Sequence, residues 1–212
     1  MLQAFTASLL LITVSELGDK TFFIAVILSM RYDHRTVFSS VLAALALMTV
    51  ISVMLGQAIS LLPKVYVHYA AIALFLIFGI KLIIDAIKMP SQSDGVVAKE
   101  AEEAVEEKNS IPIFGKFFGK ILGTYPQLGI WVQAFVMTFI AEWGDRTQIS
   151  TIALAAANDP VSVTLGAILG HAICTVIAVI GGRLVAGRIS ERIITGVGGV
   201  LFLIFGITAY FS

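Results

Sequence analysis

The sequence has little of what a disulfide-bonded, nucleic-acid-binding or secreted protein needs. Cys174 is the one cysteine among 212 residues, which excludes an intramolecular disulfide and a cysteine-based metal site. We expect it to act as a small apolar residue inside a membrane span. Charged residues make up 13% of the chain and sum to zero, so the charge indicates no nucleic-acid partner. The N-terminus also lacks the basic region and cleavage site of a signal peptide, so the first apolar stretch should persist.

Apolar residues dominate the chain, at 58% of the total. They form long uninterrupted segments, and a helix needs about 20 such residues to cross the hydrocarbon core of a bilayer. The sequence therefore predicts an all-α integral membrane protein with six transmembrane helices. The six predicted spans cover approximately residues 4–30, 36–61, 67–88, 129–156, 161–183 and 194–211.

A polar linker divides the chain into two halves. Residues 91–109 are rich in glutamate and have no hydrophobic face, which is typical of a solvated tether. Residues 111–122 mix Phe and Ile with Lys116 and Lys120, a composition that suits a segment lying in the membrane interface. We predict a first three-helix repeat over 1–89, a cytoplasmic linker over 90–128 and a second three-helix repeat over 129–212.

The two halves are related by an internal repeat. A shift of 126 residues places Glu16 on Glu142 and Asp19 on Asp145, and, one inserted residue later, the segment from Leu74 to Ile80 returns unchanged from Leu201 to Ile207. Because each half contains three predicted spans, the second half must enter the membrane from the opposite side. Such inverted repeats place the substrate site near the midplane, where the halves meet.

The basic residues predict the orientation. Lysine and arginine concentrate in the first, third and fifth connections, whereas the second has only Lys64 and the fourth has none. Basic connections remain on the cytoplasmic side of a membrane. We therefore expect the linker to be cytoplasmic and both termini to lie on the opposite side.

One acidic motif occurs twice, near the middle of the first and fourth predicted spans. Its copies read Glu-Leu-Gly-Asp-Lys-Thr from Glu16 and Glu-Trp-Gly-Asp-Arg-Thr from Glu142. Ionisable residues at that depth are costly and indicate function. On a continuous helix the Glu and Asp would share one face, and two such faces would offer oxygen ligands for Ca²⁺, Mg²⁺ or Mn²⁺. The predicted ligands are Glu16, Asp19, Glu142 and Asp145.

The remaining motif residues suggest supporting roles and an alternative. The glycine permits the helix to open, which would free the carbonyls of Leu17 or Trp143 for coordination. Further candidates are the hydroxyls of Thr21 and Thr147 and the auxiliary charges of Lys20 and Arg146. The alternative is that Glu16–Lys20 and Glu142–Arg146 form inert ion pairs at i,i+4 spacing. That arrangement would leave Asp19 and Asp145 without partners in hydrocarbon.

Two polar residues outside the repeated pattern are weaker candidates. His171 lies in the fifth span, where the repeat has Leu45 in the second. It is a candidate ligand or proton relay, although a hydrogen-bonded interhelical histidine is favoured. Gln148 follows the second motif directly and is a candidate cavity-lining residue.

The two motifs, the three spans on each side and the acidic linker resemble the Gdt family of manganese and calcium transporters. The opening from Phe5 to Ala25 is most similar to the cyanobacterial manganese-exporter branch of that family. The resemblance implies cation/proton antiport of Mn²⁺ or Ca²⁺, with the motif carboxylates as ligands, in a bacterial plasma or thylakoid membrane. It does not rank Mn²⁺ over Ca²⁺, since both accept oxygen ligands.

Two other functions remain open at this point. One is a proton-coupled exporter of small solutes such as amino acids, in which the acidic pairs only relay protons. The other is a non-transporting membrane assembly factor that holds partners with its acidic linker. No nucleophile–base pair or cofactor motif occurs, so neither an enzyme nor a resident cofactor is expected, and the oligomeric state is left open.

Overall fold

A computed structural model of the chain describes residues 1–89, 126–185 and 191–211, together with Lys99, Glu102, Glu103 and Val105. Apart from those four linker residues, this part of the chain forms eight α-helices and no strand. They are α1 (Leu2–Glu16), α2 (Lys20–Arg31), α3 (His34–Ile59), α4 (Lys64–Lys88), α5 (Pro126–Ala141), α6 (Arg146–Ala157), α7 (Pro160–Val185) and α8 (Glu191–Tyr210). Helices α3, α4, α7 and α8 are long and apolar enough to cross a membrane, in agreement with the predicted all-helical membrane protein.

The first and fourth predicted spans are each broken at the acidic motif. Helix α1 ends at Glu16 and α2 begins after Asp19, while α5 ends at Ala141 and α6 begins after Asp145. Gly18 and Gly144 have φ angles of 79° and 81°, a conformation that costs glycine little and other residues more. The prediction that Glu16 and Asp19 share the face of one helix is therefore wrong, because Gly18 adopts a left-handed backbone conformation between them and the helix is interrupted there. The alternative that the helix opens at the glycine is what the structure contains.

Two aspartates in equivalent positions of the repeat begin the long helices α3 and α7. Asp33 accepts hydrogen bonds from the backbone of Thr36 and Arg35, and Asp159 accepts from the Ser162 hydroxyl and backbone N–H. A carboxylate at this position satisfies N–H groups that have no partner within the helix. These bonds favour the charged form and lower the pKa of both aspartates, chiefly through the Thr36 backbone for Asp33 and the Ser162 hydroxyl for Asp159.

Helices α4 and α8 form an antiparallel pair packed through glycine. Gly79 lies against Leu203, Gly199 against Ile83 and Gly206 against Leu76. Small residues allow such close approach of helix backbones in a membrane. The repeated Phe-rich segments meet in this pair, where the rings of Phe75 and Phe202 have centroids 6.0 Å apart and both side chains are buried.

The broken helices pack in parallel against the long helix of the other half. Gly166 of α7 lies against Phe5 and Ser8 of α1, and four residues later Gly170 lies against Leu9 and Ile12. In the same manner α3 runs alongside α6. The Gln57 amide donates a 2.6 Å hydrogen bond to the Ala155 carbonyl there, and Gly56 lies against Ile152 and Ala155.

The buried apolar residues form two clusters. Each broken span has one of its two half-helices in the first cluster and the other half-helix in the second. The first cluster contains α2 residues such as Ile24 and α5 residues such as Met137, whereas the second contains Leu11 of α1 and Leu154 of α6. Each motif turn therefore lies at the boundary between the clusters. The linker residue Val105 is buried within the first cluster; the predicted interfacial segment 111–122 lies outside the described residues.

Candidate cation site

Each motif forms a tight turn between two half-helices. The backbone N–H of Asp19 donates to the Glu16 carbonyl and that of Asp145 donates to the Glu142 carbonyl, both at 3.1 Å. Within the described part of the chain, no backbone donor reaches the carbonyls of Leu17 and Trp143. The partially negative C-terminal ends of α1 and α5 also point into these turns, which favours a cation there.

Three of the four predicted carboxylates converge. Oxygens of Glu16, Glu142 and Asp145 lie within 4.8 Å of one another, and both glutamates are only 2% exposed. Asp19 stands outside this group and beside Arg146, whose guanidinium is 3.7 Å from the Asp19 carboxylate and 3.9 Å from that of Asp145. Hard oxygen donors this close together are the usual ligands of Ca²⁺, Mg²⁺ and Mn²⁺.

The motif threonines hold the two glutamates in place. Thr21 donates its hydroxyl to Glu16 Oε2 at 3.1 Å, and Thr147 lies 3.2 Å from Glu142 Oε2 and from Asp145 Oδ2. Thr147 also donates its backbone N–H to Asp145. The two hydroxyls therefore orient the carboxylates from equivalent positions in the two halves.

The inert ion pairs proposed as an alternative do not form. Arg146 follows Asp145 across the break in the helix, so its side chain reaches Asp19 of the other motif instead of Glu142. Within the described residues, no ion pair joins Lys20 to Glu16. Arg146 thus links the two motifs through charge. Among the ion pairs of the described residues, none involves Lys20, the equivalent residue of the first motif.

Gln148 and His171 both lie against the motifs. The Gln148 side-chain oxygen accepts a 2.6 Å hydrogen bond from the Gly144 backbone, and its amide nitrogen lies 3.0 Å from the sulfur of Met48. Gln148 therefore braces the second turn. His171 Nδ1 is 3.8 Å from Glu16 Oε1, which is longer than a hydrogen bond, and this nitrogen is buried without a hydrogen-bond partner.

Sequence reasoning missed three hydroxyl groups near the motifs. The side-chain oxygens of Thr13, Ser15 and Thr138 are buried without a hydrogen-bond partner, as are Glu16 Oε1 and His171 Nδ1. Each hydroxyl precedes a motif glutamate by four residues or fewer. The sequence could have identified these residues, because each has a hydroxyl within about one helical turn of a glutamate in a predicted span.

Two cavities lie at opposite ends of the α4–α8 pair. The motif cavity, of about 90 Å³, reaches Gly18, Asp19 and Arg146 and is completed by residues that include Leu82, Asp85, Thr195, Gly198 and Phe202. The distal cavity, of about 370 Å³, is lined by residues that include Gln3, His68, Ala71, Phe75 and Thr208. Only the first of these two reaches a motif residue.

Comparison with known proteins identifies related sequences across the whole chain. Residues 4–90 and 130–212 match the family described as "Divalent cation/proton antiporter GDT1". The chain is 52% identical over 213 residues to GDT1-like protein sll0615 of Synechocystis, covering 100% of this chain and 98% of that protein. It is 42% identical over 213 residues to GDT1-like protein 3 of Oryza sativa subsp. indica, covering 100% and 75% of the two chains.

A third relative is the chloroplastic PAM71-homolog of Arabidopsis thaliana, 41% identical over 225 residues, which cover 99% of this chain and 60% of that one. No solved structure matches.

Proposed function

Because the chain belongs to the GDT1 family of divalent cation/proton antiporters, we propose that it exports Mn²⁺, and also Ca²⁺, from the cytoplasm in exchange for protons. The observation that carries this proposal is the convergence of Glu16, Glu142 and Asp145 within 4.8 Å. Each half of the chain contributes at least one of these carboxylates. The transported ion is therefore bound where the two halves meet.

The proposed architecture is six spans in two inverted three-helix repeats. Each broken helix counts as one span, because α1 with α2, and α5 with α6, are together long enough to cross the bilayer. Parallel packing of α1 with α7 and of α3 with α6, together with the antiparallel α4–α8 pair, supports this architecture. A two-fold axis in the membrane plane would exchange the packing of the first broken span on α7 with that of the second broken span on α3, and it would map the α4–α8 pair onto itself.

In the proposed site, Glu16, Glu142 and Asp145 bind the cation directly. Thr21 and Thr147 fix the carboxylate orientations, and the free carbonyls of Leu17 and Trp143 can complete an oxygen shell. Asp19 acts through Arg146, whose positive charge it shares with Asp145. Protons and the cation compete for the same buried carboxylates, so binding of the cation displaces protons and release of the cation readmits them.

The site chemistry distinguishes this function from the alternatives. A cluster of carboxylates repels the carboxylate of an amino acid, which argues against export of such solutes. A membrane assembly factor would need its acidic linker and would have no use for acidic residues in both broken spans, where burying charge is costly. The proposed location is a bacterial plasma or thylakoid membrane, with the linker in the cytoplasm.

Flux into proteoliposomes tests the proposal. A pH gradient imposed without a membrane potential should drive Mn²⁺ in the direction opposite to the protons, and Ca²⁺ should compete with Mn²⁺. Glu142→Gln retains the size of the side chain but removes its charge, so it should abolish this flux. Mn²⁺ movement that follows the potential and ignores the pH gradient would indicate a channel and contradict the proposal.

A further inference from the structure

His171 is one of several polar residues near the motifs that break the symmetry of the repeat. The equivalent position in the first half is Leu45, an apolar residue. Glu16 and Glu142 share one feature, since each accepts a hydrogen bond from the threonine five residues later. Glu16 has the imidazole of His171, on α7 of the other half, as a further neighbour.

The buried polar atoms of this region identify a pair. Glu16 Oε1 and His171 Nδ1 are both buried, neither has a hydrogen-bond partner, and they lie 3.8 Å apart. His171 is 4% exposed and Glu16 is 2% exposed, so water offers neither atom an easy substitute. An approach of about 0.8 Å would bring them to an ordinary hydrogen-bond distance.

The arrangement favours support of the ligand over direct binding of the ion. Glu16 divides its two oxygens between neighbours, with Oε2 against Thr21 and Oε1 against His171. The convergent donor group consists of Glu16, Glu142 and Asp145 and does not include His171. The imidazole therefore lies beside a proposed ligand without belonging to the convergent donor group, as ligand-orienting groups of metal sites do.

We propose that His171 is a positioning residue for cation binding, which donates its Nδ1–H to Glu16 Oε1 and fixes the orientation of that carboxylate. The proposal rests on the cation/proton exchange described above. It adds the α7 imidazole to Thr21 among the groups that hold Glu16, and the repeat has the apolar Leu45 at the position equivalent to His171.

Substitutions at position 171 test this role. Asn can place an amide nitrogen where Nδ1 lies, Gln places its amide farther out, and Leu reproduces the residue of the other repeat. His171→Leu should raise the KM for Mn²⁺ by about 10- to 100-fold, the usual effect of removing a group that orients a metal ligand, with a smaller change in maximal rate. His171→Asn should restore KM to within a few-fold of wild type, and His171→Gln should not.

The control is Thr164→Val, two turns earlier on α7, where the hydroxyl bonds only the Pro160 carbonyl of its own helix; its KM should equal that of the wild type. A wild-type KM in His171→Leu, or equal losses in the Asn and Gln variants, would overturn the role of His171. If His171→Leu does not insert into the membrane, the comparison of Asn with Gln decides. Wild-type protein that shows no pH-driven Mn²⁺ flux contradicts the proposed function instead, and Mn²⁺ binding to the same variants in detergent then decides the role of His171.

Discussion

At the scale of single residues, the proposed site depends on which charges meet across the two halves. Arg146 lies within 4 Å of both aspartates and so couples a residue of each motif. Asp145 also belongs to the convergent carboxylate group, whereas Asp19 does not. The two aspartates occupy the same place in the repeated motif but have different neighbours, so their substitutions should not be equivalent.

Asp145→Asn should weaken Mn²⁺ binding more than Asp19→Asn, because it removes a proposed ligand. Asp19→Asn should raise the Kd by about 10- to 100-fold, since the charge of Arg146 then falls on Asp145 alone. Adding Arg146→Gln should recover part of the loss from Asp19→Asn and none of the loss from Asp145→Asn. Binding isotherms for the single and double variants measure this coupling. Normal binding and transport by Asp19→Asn would contradict the coupling of Asp19 to the proposed site through Arg146.

At the scale of helices, close packing and capping determine where each element lies. The adjacent pair Gly198 and Gly199 shows the difference that one position makes. A Cβ on Gly199 would lie 3.0 Å from the Gly79 carbonyl oxygen and 3.0 Å from the Ile83 nitrogen, whereas a Cβ on Gly198 would meet nothing within 4 Å. One glycine is needed for the approach of α4 to α8, and its neighbour is not.

Gly199→Ala should therefore destabilise the protein by about 1–3 kcal/mol, since the added methyl group forces the helices apart. Gly198→Ala is the matched control and should be neutral or stabilising by up to about 1 kcal/mol, because alanine is the better helix former. Apparent Tm values in one detergent compare the two variants. Equal Tm shifts would show that the glycine contact does not hold α4 against α8.

The cap of α7 predicts a dependence of stability on pH. Hydrogen bonds from Ser162 lower the Asp159 pKa in the folded protein, so the stabilisation is fully present above the unfolded pKa of about 3.9 and is lost as pH falls through the folded pKa. Asp159→Ala should lower the apparent Tm at pH 6, and the difference from wild type should shrink towards pH 3. Asp159→Asn, a neutral capping residue, should lose less at pH 6. A difference that persists unchanged at pH 3 would exclude the carboxylate as its cause.

At the scale of the whole molecule, the two cavities are related by the internal repeat. A shift of 127 residues, the distance from Leu74 to Leu201, carries His68, Ala71 and Phe75 of the distal cavity onto Thr195, Gly198 and Phe202 of the motif cavity. In an inverted repeat, such equivalent cavities open towards opposite faces of the membrane. Of these two cavities, the motif cavity contacts Asp19 and Arg146 and the distal cavity contacts neither.

Single cysteines in a Cys174→Ser background test this orientation. Thr195→Cys should react with a membrane-impermeant reagent from the same side as Lys99→Cys, the cytoplasmic side by the distribution of basic residues. His68→Cys should react from the side of Phe211→Cys. Labelling of Lys99→Cys and Phe211→Cys from one side would overturn both the even number of spans and the inverted repeat.

The sequence alone determined the helical membrane class, the repeat, the family resemblance and the acidic residues of the proposed site, because these follow from composition, from the lengths of apolar segments and from residue identity. It also indicated that the glycines could open the helices. Only the tertiary structure decided that they do, that Arg146 crosses to Asp19, that Asp19 stands outside the convergent group and that His171 faces Glu16. The contacts of Arg146 and His171 join residues that are distant in the chain. The left-handed conformation of Gly18 and Gly144 changes the direction of the half-helix that follows each of them. The periodicity of residues along one helix predicts neither the distant contacts nor the change of direction.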